Sequence, residues 1–344
     1  MNTPHALPDT MTAAVQHAYG NADVLSPATV PTPSPKPRQV LIRIEASALN
    51  PADVFTMTGT PFVLRLMGGV SRPRQPIRGS DAAGEIVAVG ANVTEWSVGD
   101  RVFGEALGSL AEYAVASADR IAHLPSSVSA RAGAATVMAA LAALHGLRTA
   151  GLDPLPEGQP GGGLEGKRIL VIGAGGGIGS FAVQLASVAG AHVTGVCSST
   201  AADAVTQCGA HVTVDYAKED VLALDGGFDL IFDNVGAHAM LDMEPLTAPD
   251  GLLLPNSGIH GADGGALARV AKANWHEKIR RRRIGSFYSS PNRADLELLA
   301  GLLAQGALTP LVDSVWNLTD AAAAMERVAD GHAHGKVVVT PNAP

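Results

Sequence analysis

Apolar and polar residues change their rhythm along this chain, and the changes divide it into three stretches. Through the first 130 residues, apolar positions come in short runs broken by polar ones. Residues 40–46 (VLIRIEA) set Arg43 and Glu45 between apolar neighbours, the period-two pattern of a half-buried strand. Residues 84–89 and 101–103 read as further strands on either side of turns at 90–92 and 99–100, and 110–115 (LAEYAV) as another. Short strands parted by Gly, Pro and Asp turns predict a compact barrel. The first ten residues, with Pro4, Pro8 and Asp9, read as a frayed tail.

From Ala130 the period lengthens. Residues 132–150 are rich in Ala and Leu and predict one long helix, followed by an exposed Pro/Gly-rich loop at 151–166. Strands and helices then alternate. Strands are predicted at 168–172, 192–196, 212–214, 228–232 and 252–255, with 284–288 as the last, and helices at 178–189 and 201–208. That alternation is the signature of a doubly wound parallel sheet. The tail reads as helix 293–305, strand 312–316, helix 320–329 and strand 336–340, expected to return to the first domain. The expected organisation is an α/β chain. Its barrel domain is formed by 1–130 and completed by 291–344, and its parallel-sheet domain spans 131–290.

Length and composition fit two domains: 344 residues, 47% of them hydrophobic, exceed what one core usually holds. The net charge of −8 argues against general affinity for nucleic acid or an anionic membrane. No run of about twenty apolar residues suggests a membrane span. The N-terminus lacks the basic start and apolar core of a signal peptide. Cys197 and Cys208 lie outside any CxxC or Cys/His pattern, so no disulfide framework is expected and the cytoplasm is the default compartment. The single basic run, 278–283 (KIRRRR), reads as a solvated helix end, with attraction of an anionic group as the alternative.

The clearest chemistry lies at 173–179 (GAGGGIG), between the RILVI strand and an apolar helix. A chain that turns sharply there and lets a pyrophosphate approach its backbone needs glycine. The helix N-terminus behind it supplies N–H donors and the positive end of a dipole. Gly173, Gly175, Gly176, Gly177 and Ile178 are therefore candidate cofactor contacts, although the spacing departs from strict GxGxxG. NAD-binding units carry Asp or Glu near the end of the second strand to hold the ribose 2′-hydroxyl. Here that strand ends in Cys197-Ser198-Ser199-Thr200, with no acid between Gly166 and Asp203. A carboxylate would repel a 2′-phosphate and hydroxyls can bond it, so NADPH is the expected cofactor, held in part by Ser198, Ser199 and Thr200. Thr200 and Asp203 also resemble a helix-capping pair. Ligands of open α/β sheets sit at the carboxyl ends of the strands. That rule adds Asn234 and Val235, then Ser257, Gly258 and Ile259, and finally Phe287 and Ser289.

An ordered set of motifs resembles the zinc-independent quinone oxidoreductases and enoyl reductases of the medium-chain dehydrogenase/reductase superfamily. They are 44–53 (IEASALNPAD), 79–84 (GSDAAG) with 85–90 (EIVAVG), 98–104 (VGDRVFG), 111–115 (AEYAV), the 173–179 loop, 233–236 (DNVG) and 335–339 (GKVVV). The resemblance implies a GroES-like β-barrel catalytic domain made by both chain ends, a Rossmann domain between them, and a homodimer or homotetramer. It implies hydride transfer in the interdomain cleft from NADPH to a quinone, enone or enoyl thioester. It implies too that Asn50 lines the reaction site, that Thr136 lies beside the nicotinamide and that Tyr216 lies near the adenosine phosphate. Asp53, three residues beyond Asn50, is a second catalytic candidate. The plain alternative is that Asn50 and Asp53 cap a helix that begins at Pro51. The stretches matching the catalytic zinc ligands of alcohol dehydrogenases are 50–53 and 79–81, and they hold neither thiolate nor imidazole, so no metal is expected. Tyr19, Tyr113 and Tyr288 are the candidate proton donors, and 64–76 is the segment expected to face an incoming hydrophobic substrate. A protein that binds NADPH for a structural or regulatory purpose, with little turnover, is the reading of a different class.

Overall fold

The computed structural model describes residues 7–155, 162–256, 261–280 and 283–341. The chain divides into two compact units, one formed by Met1–Met138, Pro291–Gly306 and Val312–Pro344, the other by Ala139–Ser290 and Ala307–Leu311.

The first unit opens with β1 (Thr10–Val15) and β2 (Ser26–Pro31), an antiparallel pair in a segment that alternation alone did not flag. β3 (Gln39–Leu49) follows, then the short helices α1 (Pro51–Thr58) and α2 (Val63–Gly68). β4 (Asp81–Val89), β5 (Arg101–Leu107) and β6 (Tyr113–His123) complete a meander, and β6 returns to pair with β3. Those four antiparallel strands therefore close on themselves and leave no open edge between them. Val40, Ile42, Ile86, Val102 and Ile121 fill the interior, with Trp96 donating its indole N–H to Ala118 O at 2.9 Å. Residues 110–112 do not extend β6 as their pattern predicted. Ala14 N–H bonds Leu110 O and Leu110 N–H bonds Arg78 O, so this stretch is claimed by β1 and by the approach to β4.

α3 (Ala130–Thr149) crosses the boundary between the units at Met138. By length and composition this helix could cross a membrane, contrary to the expectation of no such run. Most of it is buried, as in a small-residue core helix. In the second unit, β7 (Arg168–Ile172), α4 (Gly177–Val188), β8 (His192–Cys197), α5 (Ala202–Gln207), β9 (Val212–Asp215), β10 (Phe228–Asp233), α6 (Met240–Met243), β11 (Thr247–Pro255) and α7 (Ala266–Lys278) alternate. The sheet is parallel throughout, in the order β11-β10-β7-β8-β9, the arrangement of a doubly wound dinucleotide-binding fold. Leu170, Ile172, Val196, Ile231 and Leu253 form its core with Met240 and Met243. The predicted strand at 284–288 is not formed. Ile284 makes one isolated parallel bridge to Leu253, and Gly285 N–H to Leu253 O is the last rung before the chain leaves the sheet edge.

α8 (Arg293–Ala304), β12 (Val312–Asn317), α9 (Ala321–Ala329) and β13 (Lys336–Thr340) complete the secondary structure. β13 pairs antiparallel with β3 and carries β12 on its far side, so the C-terminal strand joins the barrel sheet at the strand that leads into α1. Asn292 caps α8, its side chain accepting from Asp295 N–H at 2.9 Å.

Candidate functional site

Because every strand of the second unit runs the same way, the chain leaves β7, β8, β9, β10 and β11 at one edge of the sheet. Gly173, immediately after β7, sits at φ 77°, a left-handed conformation that a side chain would strain. Gly173 and Ala174 both donate to Val196 O, at 3.0 and 2.9 Å, which ties the loop to the end of β8. Gly176 is the N-cap of α4 and offers no side chain to its N–H groups, leaving them for an external acceptor. Gly175 approaches Ala201 so closely that a Cβ there would lie 2.8 Å from the Ala201 Cβ. Gly175, Gly176, Gly177 and Ile178 are all partly exposed along this turn. The result is a bare backbone cradle at a helix N-terminus, and it fits a dinucleotide pyrophosphate.

The other strand ends supply the rest of this edge. Ser198 is half-buried and Ser199 and Thr200 are exposed. Thr200 does not cap α5; its hydroxyl bonds the Ser198 hydroxyl at 2.9 Å, because a 3-10 turn at Ser199–Ala201 intervenes before α5 begins. Tyr216, 58% exposed, follows β9, and its N–H bonds Cys197 O. Asn234 is held by Ile172 O and by the Asn256 amide, the latter at 2.8 Å. Val235 is exposed beside it. Phe287 packs edge-on against Phe232 and Ser289 bonds His145. Ser257, Gly258 and Ile259, together with Arg281 and Arg282 of the basic run, lie outside the described residues.

β10 ends in Asp233, fully buried, whose Oδ1 accepts from Val235 and Gly236 N–H and whose Oδ2 accepts from Arg269 at 2.6 Å. This ion pair shapes the turn that presents Asn234 and Val235. Sequence reading missed it, since nothing local links Asp233 to a residue on α7.

In the first unit, Asn50 and Asp53 do meet, at the start of α1. Asp53 Oδ2 accepts Asn50 N–H at 2.8 Å, half of a capping box. The Asn50 side chain turns elsewhere: its amide donates to Asp81 at 2.9 Å and its oxygen accepts from Lys336. Lys336 Nζ is also 3.5 Å from Asp81, which takes Met138 N–H at 3.2 Å. Asp53 Oδ1 accepts Gly79 N–H at 3.2 Å. All four side chains are buried. Asp81 and Lys336, absent from the sequence candidates, turn a helix cap into a charged cluster. Thr136 lies fully buried, and its hydroxyl donates within its own helix to Ala132 O. Among the described residues no group of three or more His, Cys, Asp or Glu converges.

Burial, reinforced by Asp81, pushes the Asp53 carboxyl up to about 6; burial also raises Asp81, against the pull of Lys336. The folded state therefore holds the Asp53 proton more tightly than the unfolded chain does. Its stabilising effect is complete below pH 4 and is lost as pH rises through about 6. The stability difference between wild type and Asp53→Asn should fall by about 2 kcal/mol from pH 4 to pH 7, read by urea unfolding. A difference that stays flat across that range would contradict a raised Asp53.

With this geometry in view, comparison with known proteins is direct. Residues 36–126 match the alcohol dehydrogenase GroES-like domain family, and residues 208–339 match a family described as zinc-binding dehydrogenase. The chloroplast envelope quinone oxidoreductase homolog of Arabidopsis thaliana is 31% identical over 342 residues, covering 96% of this chain and 98% of that protein. A trans-enoyl reductase of Aspergillus terreus is 30% identical over 322 residues, covering 88% and 86%. The solved quinone oxidoreductase of Coxiella burnetii superposes with a TM-score of 0.84 at 26% identity, covering 97% and 100%. This chain belongs to the zinc-independent, quinone oxidoreductase-like family of the medium-chain dehydrogenases/reductases.

Proposed function

We propose that this protein is an NADPH-dependent reductase of quinones or of C=C bonds conjugated to a carbonyl. The observation that carries the reading is the edge formed by the ends of β7 and β8. There an uncapped helix N-terminus behind a glycine turn stands beside Ser198, Ser199 and Thr200, with no carboxylate on that strand end. The uncapped N–H groups of α4 would hold the pyrophosphate and the hydroxyls the 2′-phosphate. Tyr216, Asn234 and Val235 follow β9 and β10 at the same edge. When bound, the reduced dinucleotide supplies hydride, and the chain's part is to orient, exclude water and stabilise charge as it forms. The quinone and enoyl reductase relatives support the acceptor class.

The test is to follow NADPH oxidation with a panel of quinones, enones and enoyl thioesters, with NADH in parallel. Turnover with one acceptor class, faster with NADPH, is the expected result. Tight NADPH binding with no turnover would favour the non-catalytic alternative, and equal use of NADH would remove the role given to the β8 hydroxyls. A homodimer or homotetramer belongs to the same proposal and is read by light scattering. So does a cytoplasmic setting, which the unpaired state of Cys197 and Cys208 supports.

A further inference from the structure

The first part of the parallel-sheet unit lacks lysine and arginine. Between Arg168, which opens β7, and Lys218 there is neither, across the glycine turn, α4, β8, α5 and β9. Carboxylates do occur at the end of β9. Asp215 is its last residue, Glu219 Oε1 accepts Asp215 N–H at 3.2 Å, and Asp220 follows. A phosphate dianion resting on the β8 hydroxyls would be repelled by these carboxylates, and Lys218 is the one cation of the stretch able to offset them.

The ends of β8 and β9 are tied together. Cys197 stands opposite Asp215 in the parallel ladder, and Tyr216 N–H bonds Cys197 O at 3.3 Å. The end of β9 therefore lies one strand spacing, about 4.8 Å, from the strand end that carries Ser198, Ser199 and Thr200. Lys218 folds back onto this point. Its N–H bonds Asp215 O at 2.9 Å, and its ammonium lies 2.9 Å from Asp215 Oδ2. The Lys218 side chain is 71% exposed and that of Asp215 only 14%. An ammonium has three donors, and Asp215 occupies one of them. The same contact holds the Asp215 carboxyl below its ordinary range, so the anchor stays ionised. As a surface ion pair it adds little to stability, but it steadies a flexible cation that still faces water.

Resting on the reductase reading above, we infer that Lys218 is the specificity-determining residue for the cofactor: its ammonium, steadied by Asp215, binds the 2′-phosphate of NADPH alongside the hydroxyls of Ser198, Ser199 and Thr200. Hydroxyl groups can bond a ribose hydroxyl as well as a phosphate, so by themselves they discriminate poorly between NADH and NADPH. The choice falls to the charge. Without Lys218 the carboxylates of Asp215 and Glu219 would act on the phosphate unopposed, whereas the neutral 2′-hydroxyl of NADH would lose nothing.

The experiment measures NADPH and NADH affinities, by nicotinamide fluorescence, in wild type, Lys218→Met and Lys218→Arg. Lys218→Met should bind NADPH at least tenfold more weakly and NADH within threefold of wild type. Lys218→Arg keeps the charge and should stay within threefold for both. Added salt should weaken NADPH binding more steeply in wild type than in Lys218→Met. A lysine that only closes the Asp215 turn predicts a lower melting temperature and equal losses for both cofactors. That result overturns the inference, as does unchanged NADPH affinity in Lys218→Met or an equal loss in Lys218→Arg. If wild type binds neither dinucleotide, the reductase reading fails separately, and calorimetry with adenosine 2′,5′-bisphosphate and 5′-AMP then decides on Lys218. Bisphosphate binding at least tenfold weaker in Lys218→Met, with 5′-AMP unchanged, supports it. Bisphosphate binding that is equal in the two proteins, or absent from both, overturns it.

Discussion

Replacing Gly179 with alanine is expected to remove NADPH binding, with an affinity at least 100-fold weaker than wild type, and to lower the melting temperature. Gly179 sits in the first turn of α4 and is buried directly against the turn that precedes it. A Cβ there would meet the Gly173 carbonyl carbon at 2.8 Å and Ala174 Cα at 2.9 Å. Both are backbone atoms, and both are held in place by the hydrogen bonds from Gly173 and Ala174 to Val196 O. No side chain can rotate away to make room, so the helix must separate from the loop. Overpacking of this kind costs about 1–3 kcal/mol. The larger consequence is for binding. The cradle exists because α4 starts immediately behind the glycine turn, and a displaced helix N-terminus no longer directs its N–H groups at the pyrophosphate. Fluorescence titration with NADPH, alongside a thermal melt, checks both effects. A variant that keeps wild-type affinity would show that the cofactor does not rest on this turn.

Lys336→Met should destabilise the first unit by about 3–5 kcal/mol near neutral pH, the usual cost of leaving a buried charge without its partner. The ammonium is 4% exposed, it donates to Asn50 Oδ1, and it lies 3.5 Å from Asp81, itself 1% exposed. Removing it strands two carboxylates, Asp81 and Asp53, in a site that already disfavours their ionised forms. The sign of the pH effect follows. With the cation gone, both carboxyls hold protons still more tightly in the folded state. The variant should therefore recover stability as pH falls toward 5 and lose it as pH rises through the carboxyl pKa values. Asp81→Asn combined with Lys336→Met should cost less than the two single changes added together, because each single change leaves a charge that the pair removes. Urea unfolding at pH 5 and pH 7.5 measures all of this. A Lys336→Met protein within 1 kcal/mol of wild type at pH 7.5 would mean that the cluster is not held by that ammonium.

The two predictions differ in how far the sequence alone supports them. Gly179 stands in a run whose meaning is local: a strand, a glycine turn and an apolar helix follow one another, and the chain between them has only one compact path. The same is true of the missing acid after β8, since the end of a strand and the residues that follow it are contiguous. Strand and helix periods also carried far. β7 and β13 lie at the predicted residues, and the other matched elements differ from prediction mainly at their ends. Where pattern misled, a distant partner was responsible. Residues 110–112 look like the start of a strand but bond instead to β1 and to Arg78. Residues 284–288 look like a sixth strand, but the ladder stops after a single bridge.

Lys336 shows the limit most clearly. In the run KVVVT it reads as the polar first residue of an apolar strand, and nothing nearby announces that it is buried. It becomes part of a charged cluster only because β13 pairs with β3, which brings it to Asn50, 286 residues earlier in the chain. Arg78 and Arg269 escaped notice for the same reason, as ordinary basic residues in sequence whose burial is set by elements far away. By itself, the sequence determined the alternation of elements, the glycine cradle and the hydroxyl-bearing strand end, because each depends on neighbours along the chain. Only the tertiary structure decided which polar side chains are buried and which donors are left free. Burial and partnership depend on what packs across space, and a local hydrophobic pattern carries no record of that.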